Sequence, residues 1–292
     1  MSLLTMKRIS LFLSICFFLA LGLLVYVQYK NFNYFAQVIF FDIGQGDAAL
    51  IKFADGEKML VDCGADKKIL AKLGTYLSFY DQEIDYLLIT HFDLDHYGGC
   101  IDVLKRYQVK NIITNGQKKE TDRYWQEWDK VRRSEQAKEY IISQPQVWQI
   151  AKAKLEFLNP DPSFKSSAIS SKFDSNNESI VFRLAFASST VLFTGDMGEP
   201  IEKALLGKYC SLTLNIFKQC PKLAANILKI GHHGSDSSSN QNFIAAVQPL
   251  RAIISVGKNK YGHPSWRVLK KLERAKAIIL RTDEEGDVDI KL

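Results

Sequence analysis

The chain has 292 residues, of which 47% are hydrophobic and 12% aromatic, and its formal net charge is +6 at pH 7. This composition can bury a substantial core, which argues against a disordered chain, and the length suits one large or two small domains. The charge is only mildly basic and therefore favours an anionic partner weakly. None of the five cysteines forms a C-x-x-C pair, so the sequence does not support a zinc ribbon.

The first predicted element is an apolar helix. Lys7 and Arg8 precede an almost uninterrupted apolar run over residues 9–27. A run of about 18 or more apolar residues indicates a membrane span, whereas a signal peptide has a shorter core and a small-x-small cleavage site. We predict an anchor or uncleaved signal over 1–32 and a folded domain over 33–292, with a cleaved signal or a buried helix as alternatives.

The basic pair also predicts the orientation of this anchor. Positive residues before a span favour the cytoplasmic side, so we expect a single-pass protein of the cytoplasmic membrane whose domain lies outside the cytoplasm. If the segment is instead cleaved as a signal, the domain is secreted.

Short strands and one helix follow the anchor. Strands are predicted at QVIFFDIG, AALIKFA, KMLVDCG, IDYLLIT and VKNIIT. The spacing of Ile69, Leu73 and Leu77 predicts a helix between the third and fourth strands, and a second helix is expected over 97–106.

Residues 116–140 have the composition of a charged helix that carries Trp125 and Trp128. Two interpretations remain open for these tryptophans. They could pack down into the core beneath a solvated face, or they could form a basic, aromatic surface near a nucleic-acid groove.

The second half begins with a Ser-, Asn- and Pro-rich loop over 159–179. Strands are then predicted at SIVFRLAFA, TVLFTGD, NILKI, AIISVG, AIILRT and DVDIKL, with helices between them. No Pro- or Gly-rich linker divides the body, so we predict one α/β domain, an αββα sandwich of two sheets covered by helices. Cys210 and Cys220 could form a local disulfide or remain two thiols.

Polar clusters recur directly after the predicted strands. The stretch LLITHFDLDHYGG is the densest, and the others follow KMLV, VLFTG, ILKIG and AIISVG. Imidazole and carboxylate ligands suit Zn or Mn, so we predict one or two divalent metal ions. The predicted ligands are His91, Asp93, Asp95, His96, Asp196 and one of His232 and His233.

These motifs resemble a known family. THFDLDHYGG is similar to the H-x-H-x-D-H signature of the metallo-β-lactamase superfamily, with Asp93 in place of the second histidine. FFDIGQGDAALI, VDCG, SNNES, LFTGD, ILKIGHHGS and SVGKNKYGHP together resemble the metallo-β-lactamase-like domain of ComEC-type DNA-uptake proteins, over roughly residues 38–283. The resemblance implies an αββα fold, a metal-dependent hydrolase site and phosphodiesterase or nuclease activity on DNA.

The resemblance also implies roles for single residues. His91, Asp95 and His96 match the signature directly, and Asp196 matches a carboxylate that bridges two metals. For the last histidine ligand we favour His232, with His233 as the alternative. Asp62 is expected to support the ligands from behind. The histidine usual in the third motif is missing, and Asn176 or Asn177 lies there instead.

Three further residues have open roles. Asp47 could be a turn residue or could reach the floor of the site, as the resemblance suggests. His263 could be a packed loop residue, or it could contact a phosphate or donate a proton to the leaving oxygen. Ser235 could be plain loop or could meet a phosphate through its hydroxyl.

We therefore expect a metal-dependent phosphodiesterase or nuclease that acts on DNA, with Asp95 positioning the attacking water or accepting its proton. A hydrolase of carboxylic esters, thioesters or lactones is the second hypothesis, and a non-catalytic membrane-tethered DNA-binding module is the third. The channel and OB-like domain of ComEC-type proteins have no counterpart in this sequence, so the chain cannot form a channel by itself. We therefore expect DNA-uptake machinery as a partner.

Overall fold

In this computed structural model the described residues are 3–32, 36–164, 175–213 and 216–292. The chain divides into two units, Met1–Phe35 and Ala36–Leu292. In the first unit, helix α1 runs over Leu3–Phe32. Its segment Arg8–Val27 is long and apolar enough to cross a membrane, by length and composition. Much of the predicted loop, residues 165–174, lies outside the described residues.

The second unit alternates strands and helices. Its strands are β1 Gln37–Phe40, β2 Ala49–Lys52, β3 Lys58–Val61, β4 Glu83–Leu88, β5 Gln108–Thr114, β6 Lys138–Ile141, β7 Gln146–Ile150, β8 Ala153–Asn159, β9 Val181–Phe186, β10 Ser189–Phe193, β11 Ser211–Thr213, β12 Ile216–Gln219, β13 Ile227–Lys229, β14 Arg251–Ile254, β15 Ile278–Arg281 and β16 Val288–Lys291. Its helices are α2 Lys68–Tyr76, α3 Leu94–Tyr97, α4 Cys100–Arg106, α5 Arg123–Ser134, α6 Glu199–Tyr209, α7 Gln241–Val247, α8 Trp266–Arg274 and α9 Thr282–Glu285.

These strands form two seven-stranded sheets and a separate hairpin of β11 and β12. The first sheet has the order β16-β1-β2-β3-β4-β5-β6, and the second has the order β15-β14-β13-β10-β9-β8-β7. Strands β3 to β6 pair in parallel, as do β10, β13, β14 and β15. The other pairs within the two sheets are antiparallel.

Alternating apolar residues divide the interior into three layers. In β1, Ile39 faces the layer shared with α2, α4 and α5, whereas Phe40 faces the layer between the two sheets. There it stacks on Phe193 of the second sheet, with ring centroids 5.7 Å apart. A third layer lies between the second sheet and helices α6, α7 and α8. The order of layers is helix, sheet, sheet, helix, which confirms the predicted αββα sandwich.

Helix α5 decides between the two interpretations of its tryptophans. Asp122 caps the helix by accepting the N–H groups of Tyr124 and Trp125. Both Trp125 and Trp128 are buried in the first core layer, so the core interpretation is confirmed. The helix predicted over 116–140 is too long, because Lys138–Ile141 instead pairs with β5 as β6.

Candidate metal centre

The loop after β4 carries the densest motif. Asp93 stands directly before α3, and Asp95 and His96 lie in its first turn. The glycine pair lets this loop pack tightly, because a Cβ on Gly99 would lie 2.3 Å from the carbonyl oxygen of Cys63. A disulfide between Cys63 and Cys100 fastens the loop to the segment after β3.

Asp62 supports this loop from behind. Its carboxylate accepts the N–H of Thr90 at 2.8 Å and the Thr90 hydroxyl at 2.7 Å. The same carboxylate lies 2.9 Å from Nδ1 of His96. A carboxylate accepts but does not donate, so His96 donates from Nδ1, which leaves Nε2 of the neutral ring free to bind a metal.

A strained turn after β13 supplies the second-sheet side. His232 and His233 have φ of 49° and 53°, a left-handed conformation that costs roughly 1–2 kcal/mol per non-glycine residue. This turn directs Nε2 of His233 to 3.2 Å from Asp95 Oδ2 and 3.5 Å from Asp196 Oδ2. Nδ1 of His233 donates to the carbonyl oxygen of Ser255 at 2.9 Å.

The sequence resemblance favours His232 over His233 as the last histidine ligand, whereas the geometry favours His233. Nδ1 of His232 lies 3.5 Å from the Asn176 amide nitrogen and 3.3 Å from the Ser237 hydroxyl. Because two successive residues adopt left-handed φ, the second imidazole, not the first, turns toward the carboxylates. His232 is therefore a neighbour of the ligand group in this structure.

Asp196 lies between the histidines of the two sheets. Its Oδ1 is 3.3 Å from Nε2 of His96, and its Oδ2 faces His233. The backbone N–H of Asp196 donates to the Ser179 hydroxyl at 3.1 Å. A carboxylate that offers one oxygen to each side has the arrangement that a metal-bridging ligand needs.

His91 and Asp93 form the outer edge of the group. Nε2 of His91 is 3.7 Å from Asp93 Oδ2, and its Nδ1 lies 3.1 Å from the Thr90 hydroxyl. Asp93 also pairs with Lys119 and accepts the Ser175 hydroxyl at 2.9 Å. Asp93 is thus shared between the histidine and a lysine.

The atoms that point inward fit a divalent cation. Among the described residues, His91 Nε2, His96 Nε2 and Asp196 Oδ1 are buried and have no hydrogen-bond partner. Each such atom is costly to bury, and bound divalent cations would satisfy them. The ligand atoms of His91, His96 and Asp196 lie within 4.8 Å of one another, as do those of Asp95, His96 and His233.

The arrangement contains two spaces in which a cation could lie. We call the space bounded by Asp95, His96, Asp196 and His233 the inner position. We call the space on the side of His91 and Asp196 the outer position, with Asp93 at its edge, 3.7 Å from His91.

The buried histidines and carboxylates shift one another's pKa values. Burial lowers the pKa of His233, but Asp196 and then Asp47 and Asp95 outweigh it and raise that pKa to about 10. Burial also opposes charging of Asp196, yet the neighbouring histidines hold its pKa well below the usual range. In the absence of metal the carboxylates therefore retain protons on the imidazoles, and a cation would replace those protons.

A buried ion pair beneath the site was missed by the sequence reasoning. Nζ of Lys229 lies 2.7 Å from Asp47 Oδ2, and only 4% and 8% of the two side chains are exposed. The other oxygen of Asp47 is 3.3 Å from Nδ1 of His233. Asp47 thus lies at the floor of the site. The available signal was a lysine inside the apolar strand NILKI.

The other predicted site residues surround this group. Asn177 accepts the N–H of Gly198 at 3.1 Å and so shapes a turn. The Ser235 hydroxyl lies 3.0 Å from that of Ser237. His263 is half-buried, with its ring 5.6 Å from that of His232, and burial followed by His232 lowers its pKa.

Residues 41–258 match the family described as the metallo-beta-lactamase superfamily. The chain belongs to the metallo-β-lactamase superfamily. Its fold and family imply a metal-dependent hydrolase, and the described histidines and aspartates could hold a divalent metal.

The chain is also similar to competence proteins. It is 29% identical over 279 residues to "ComE operon protein 3" of Bacillus subtilis, which covers 87% of this chain and 33% of that protein. It is 29% identical over 264 residues to "Competence protein ComA" of Neisseria gonorrhoeae, which covers 88% of this chain and 32% of that protein. The chain thus spans about a third of the length of these curated relatives.

Solved structures support the fold. The metallo-beta-lactamase fold protein YhfI of Bacillus subtilis matches 88% of this chain and 100% of its own, with a TM-score of 0.57 and 12% identity. A long form RNase Z from yeast matches 89% of this chain and 42% of its own, with a TM-score of 0.51 and 11% identity. At these identities the likeness concerns the fold alone.

Proposed function

We propose that this protein is a metal-dependent phosphodiesterase that cuts DNA. The observation that carries the proposal is the inner position, where carboxylate and imidazole atoms from both sheets face one another. DNA is favoured because the similar Bacillus and Neisseria proteins are named for competence.

The chain's own residues would divide the work as follows. We propose His91, Asp93, Asp95, His96, Asp196 and His233 as metal ligands, with His233 in place of His232. A divalent ion held there supplies Lewis-acid charge and lowers the pKa of a water. Asp95 has the more exposed carboxylate of the inner group, at 36%, and can accept a proton from that water. His263 would donate a hydrogen bond to the leaving oxygen from its neutral ring.

The third motif has an asparagine where the superfamily usually has a histidine, and this difference bears on the choice of substrate. Asn177 is engaged by Gly198, so the outer position keeps His91, Asp93 and Asp196 as its ligands. An outer metal held by fewer protein ligands leaves room for substrate oxygens, and two-metal phosphodiester hydrolysis clamps such oxygens.

We further propose that residues 1–32 anchor the domain and that residues 33–292 act outside the cytoplasm. Lys7 and Arg8 before the apolar segment support this orientation. The structure adds two disulfides, Cys63–Cys100 and Cys210–Cys220. Disulfides persist mainly in oxidising compartments outside the cytoplasm, and DNA-uptake machinery at the membrane would then be the partner.

The test uses the full chain in detergent, stripped of metal and reloaded with Mn²⁺ or Zn²⁺. Cleavage of labelled single- and double-stranded DNA is followed for the wild type, Asp95→Ala and His233→Ala, with the exposed Asp55→Ala as a matched control. We expect metal-dependent cleavage that only the two site variants lose.

Two outcomes would contradict this proposal. Metal binding without DNA cleavage, together with turnover of an ester or lactone, would favour the second enzyme class. Salt-dependent DNA binding with no turnover of either substrate would favour a non-catalytic module.

A further inference from the structure

The loop between β14 and α8 borders the metal centre. The N–H of Ser265 donates to the carbonyl of Gly234 at 2.9 Å, which ties the loop to the turn that carries the histidine pair. At its other end, the N–H of Gly257 faces the Gln45 side-chain oxygen at 3.4 Å. Residues 257–265 therefore form one wall beside the site.

A row of neighbouring tyrosine and histidine rings runs through this wall. The ring of Tyr261 stacks on that of His263, with centroids 5.7 Å apart and an angle of 30° between the planes. The His263 and His232 rings are 5.6 Å apart, and those of His232 and His233 are 6.2 Å apart. Tyr261 is 64% exposed, whereas His233 is buried. The row of rings therefore leads from solvent to the candidate metal ligands.

The loop that carries Tyr261 is positively charged. Between Asp236 and Glu273 the sequence has no acidic residue. Arg267 pairs with Asp236 and Lys270 with Glu273, whereas Lys258 and Lys260 lie in the loop itself. Lys258 and Lys260 precede Tyr261 and are exposed, and neither forms an ion pair with a described residue. Nζ of Lys260 lies 5.7 Å from the centroid of the Tyr261 ring. Two unpaired cations next to an exposed aromatic ring suit a phosphate backbone whose base stacks on that ring.

We propose that Tyr261 stacks on an unpaired base next to the phosphate that is cut, while Lys258 and Lys260 meet the flanking phosphates. This inference rests on the proposed function and specifies its substrate: single-stranded DNA or a frayed end. In a duplex each base face is covered by its neighbours, so a paired base cannot reach the ring without unstacking.

The first test measures binding without chemistry. The full chain in detergent, held in EDTA, is titrated into an oligonucleotide that contains 2-aminopurine, in single-stranded and duplex form. Tyr261→Ala should weaken single-strand binding about 10-fold, Tyr261→Trp should restore it, and duplex binding should stay within twofold. Phe79→Ala is the matched control, because Phe79 is 88% exposed and belongs to another loop.

Three results would overturn the inference. They are unchanged single-strand binding by Tyr261→Ala, an equal loss of duplex binding in that variant, and an equal loss of single-strand binding in Phe79→Ala.

A second test separates the stacking site from the proposed function by measuring DNA cleavage by the metal-loaded protein. If the wild type binds single strands through Tyr261 but cuts no DNA, the proposed function fails and the stacking site stands. If it cuts DNA and Tyr261→Ala leaves KM for single strands unchanged, only the stacking site fails.

Discussion

The inner and outer positions are built differently although they share Asp196. In the inner position, Nδ1 of His96 is held by Asp62 and Nδ1 of His233 by the Ser255 carbonyl. In the outer position, Asp93 is 31% exposed and paired with Lys119. Imidazoles whose orientation is already fixed bind a metal with little loss of conformational freedom. Asp93 must first break its ion pair with Lys119 and should therefore bind a metal more weakly. We therefore expect one retained and one exchangeable metal.

The largest effect is expected where the two positions meet. Asp196→Asn removes charge from the carboxylate that faces both His96 and His233. We expect loss of both metals and a fall in DNA cleavage beyond the roughly 100-fold that loss of a supporting hydrogen bond can cause. Metal content by mass spectrometry and initial cleavage rates check this prediction.

His232→Ala is the matched control for that experiment. His232 contacts Asn176 and Ser237 rather than the carboxylates, so metal content should stay unchanged. Equal metal loss in His232→Ala and His233→Ala would contradict the assignment of His233 to the inner position.

The buried ion pair should matter for the inner position alone. Lys229→Met leaves the Asp47 charge buried without its partner, and breaking such a pair costs about 3–5 kcal/mol of stability. Because Asp47 also meets His233, inner metal affinity should fall about 10- to 100-fold. Urea unfolding and metal titration measure the two effects.

A double variant separates the two consequences. Lys229→Met combined with Asp47→Leu removes both charges and should recover most of the stability. It should not recover metal affinity, because the Asp47→Leu change removes the carboxylate that meets His233. Full recovery of metal affinity would show that the pair acts on stability only.

The outer position should respond to a restored histidine. Asp93→His reinstates the residue that the superfamily signature has there, and it removes the competition with Lys119. Imidazole suits Zn²⁺, so we expect outer Zn²⁺ affinity to rise about 10-fold, on the scale of one well-oriented contact. A competition titration with a zinc indicator measures it, and weaker outer binding would contradict the proposed ligand set.

The smallest effect on metal binding concerns the two disulfides. Cys63–Cys100 closes a sequence separation of 37 and Cys210–Cys220 one of 10, so the chain-entropy relation assigns them about 4 and 3 kcal/mol. Paired Cys→Ser changes should lower stability by similar amounts in urea unfolding. Only the first pair lies beside the motif loop, so only its loss should weaken inner metal binding, by a few-fold. An equal effect of the second pair would remove that distinction.

The sequence predicts the fold well because strand patterns and turn residues are local. It also predicts most of the histidines and aspartates that the structure brings together, since the polar clusters end apolar strands. It does not choose between His232 and His233, because that choice depends on two left-handed φ angles. It also does not reveal the Lys229–Asp47 pair, whose members are distant in the chain and meet only after folding.

Metal titration of the stripped full chain tests the central claim most directly. The measurement follows Mn²⁺ binding by equilibrium dialysis in the wild type, Asp93→Ala and His233→Ala. We predict one tight and one weak class of site in the wild type, with the weak class lost in Asp93→Ala and the tight class lost in His233→Ala. A tight class that survives His233→Ala, or that disappears in Asp93→Ala, would contradict the account.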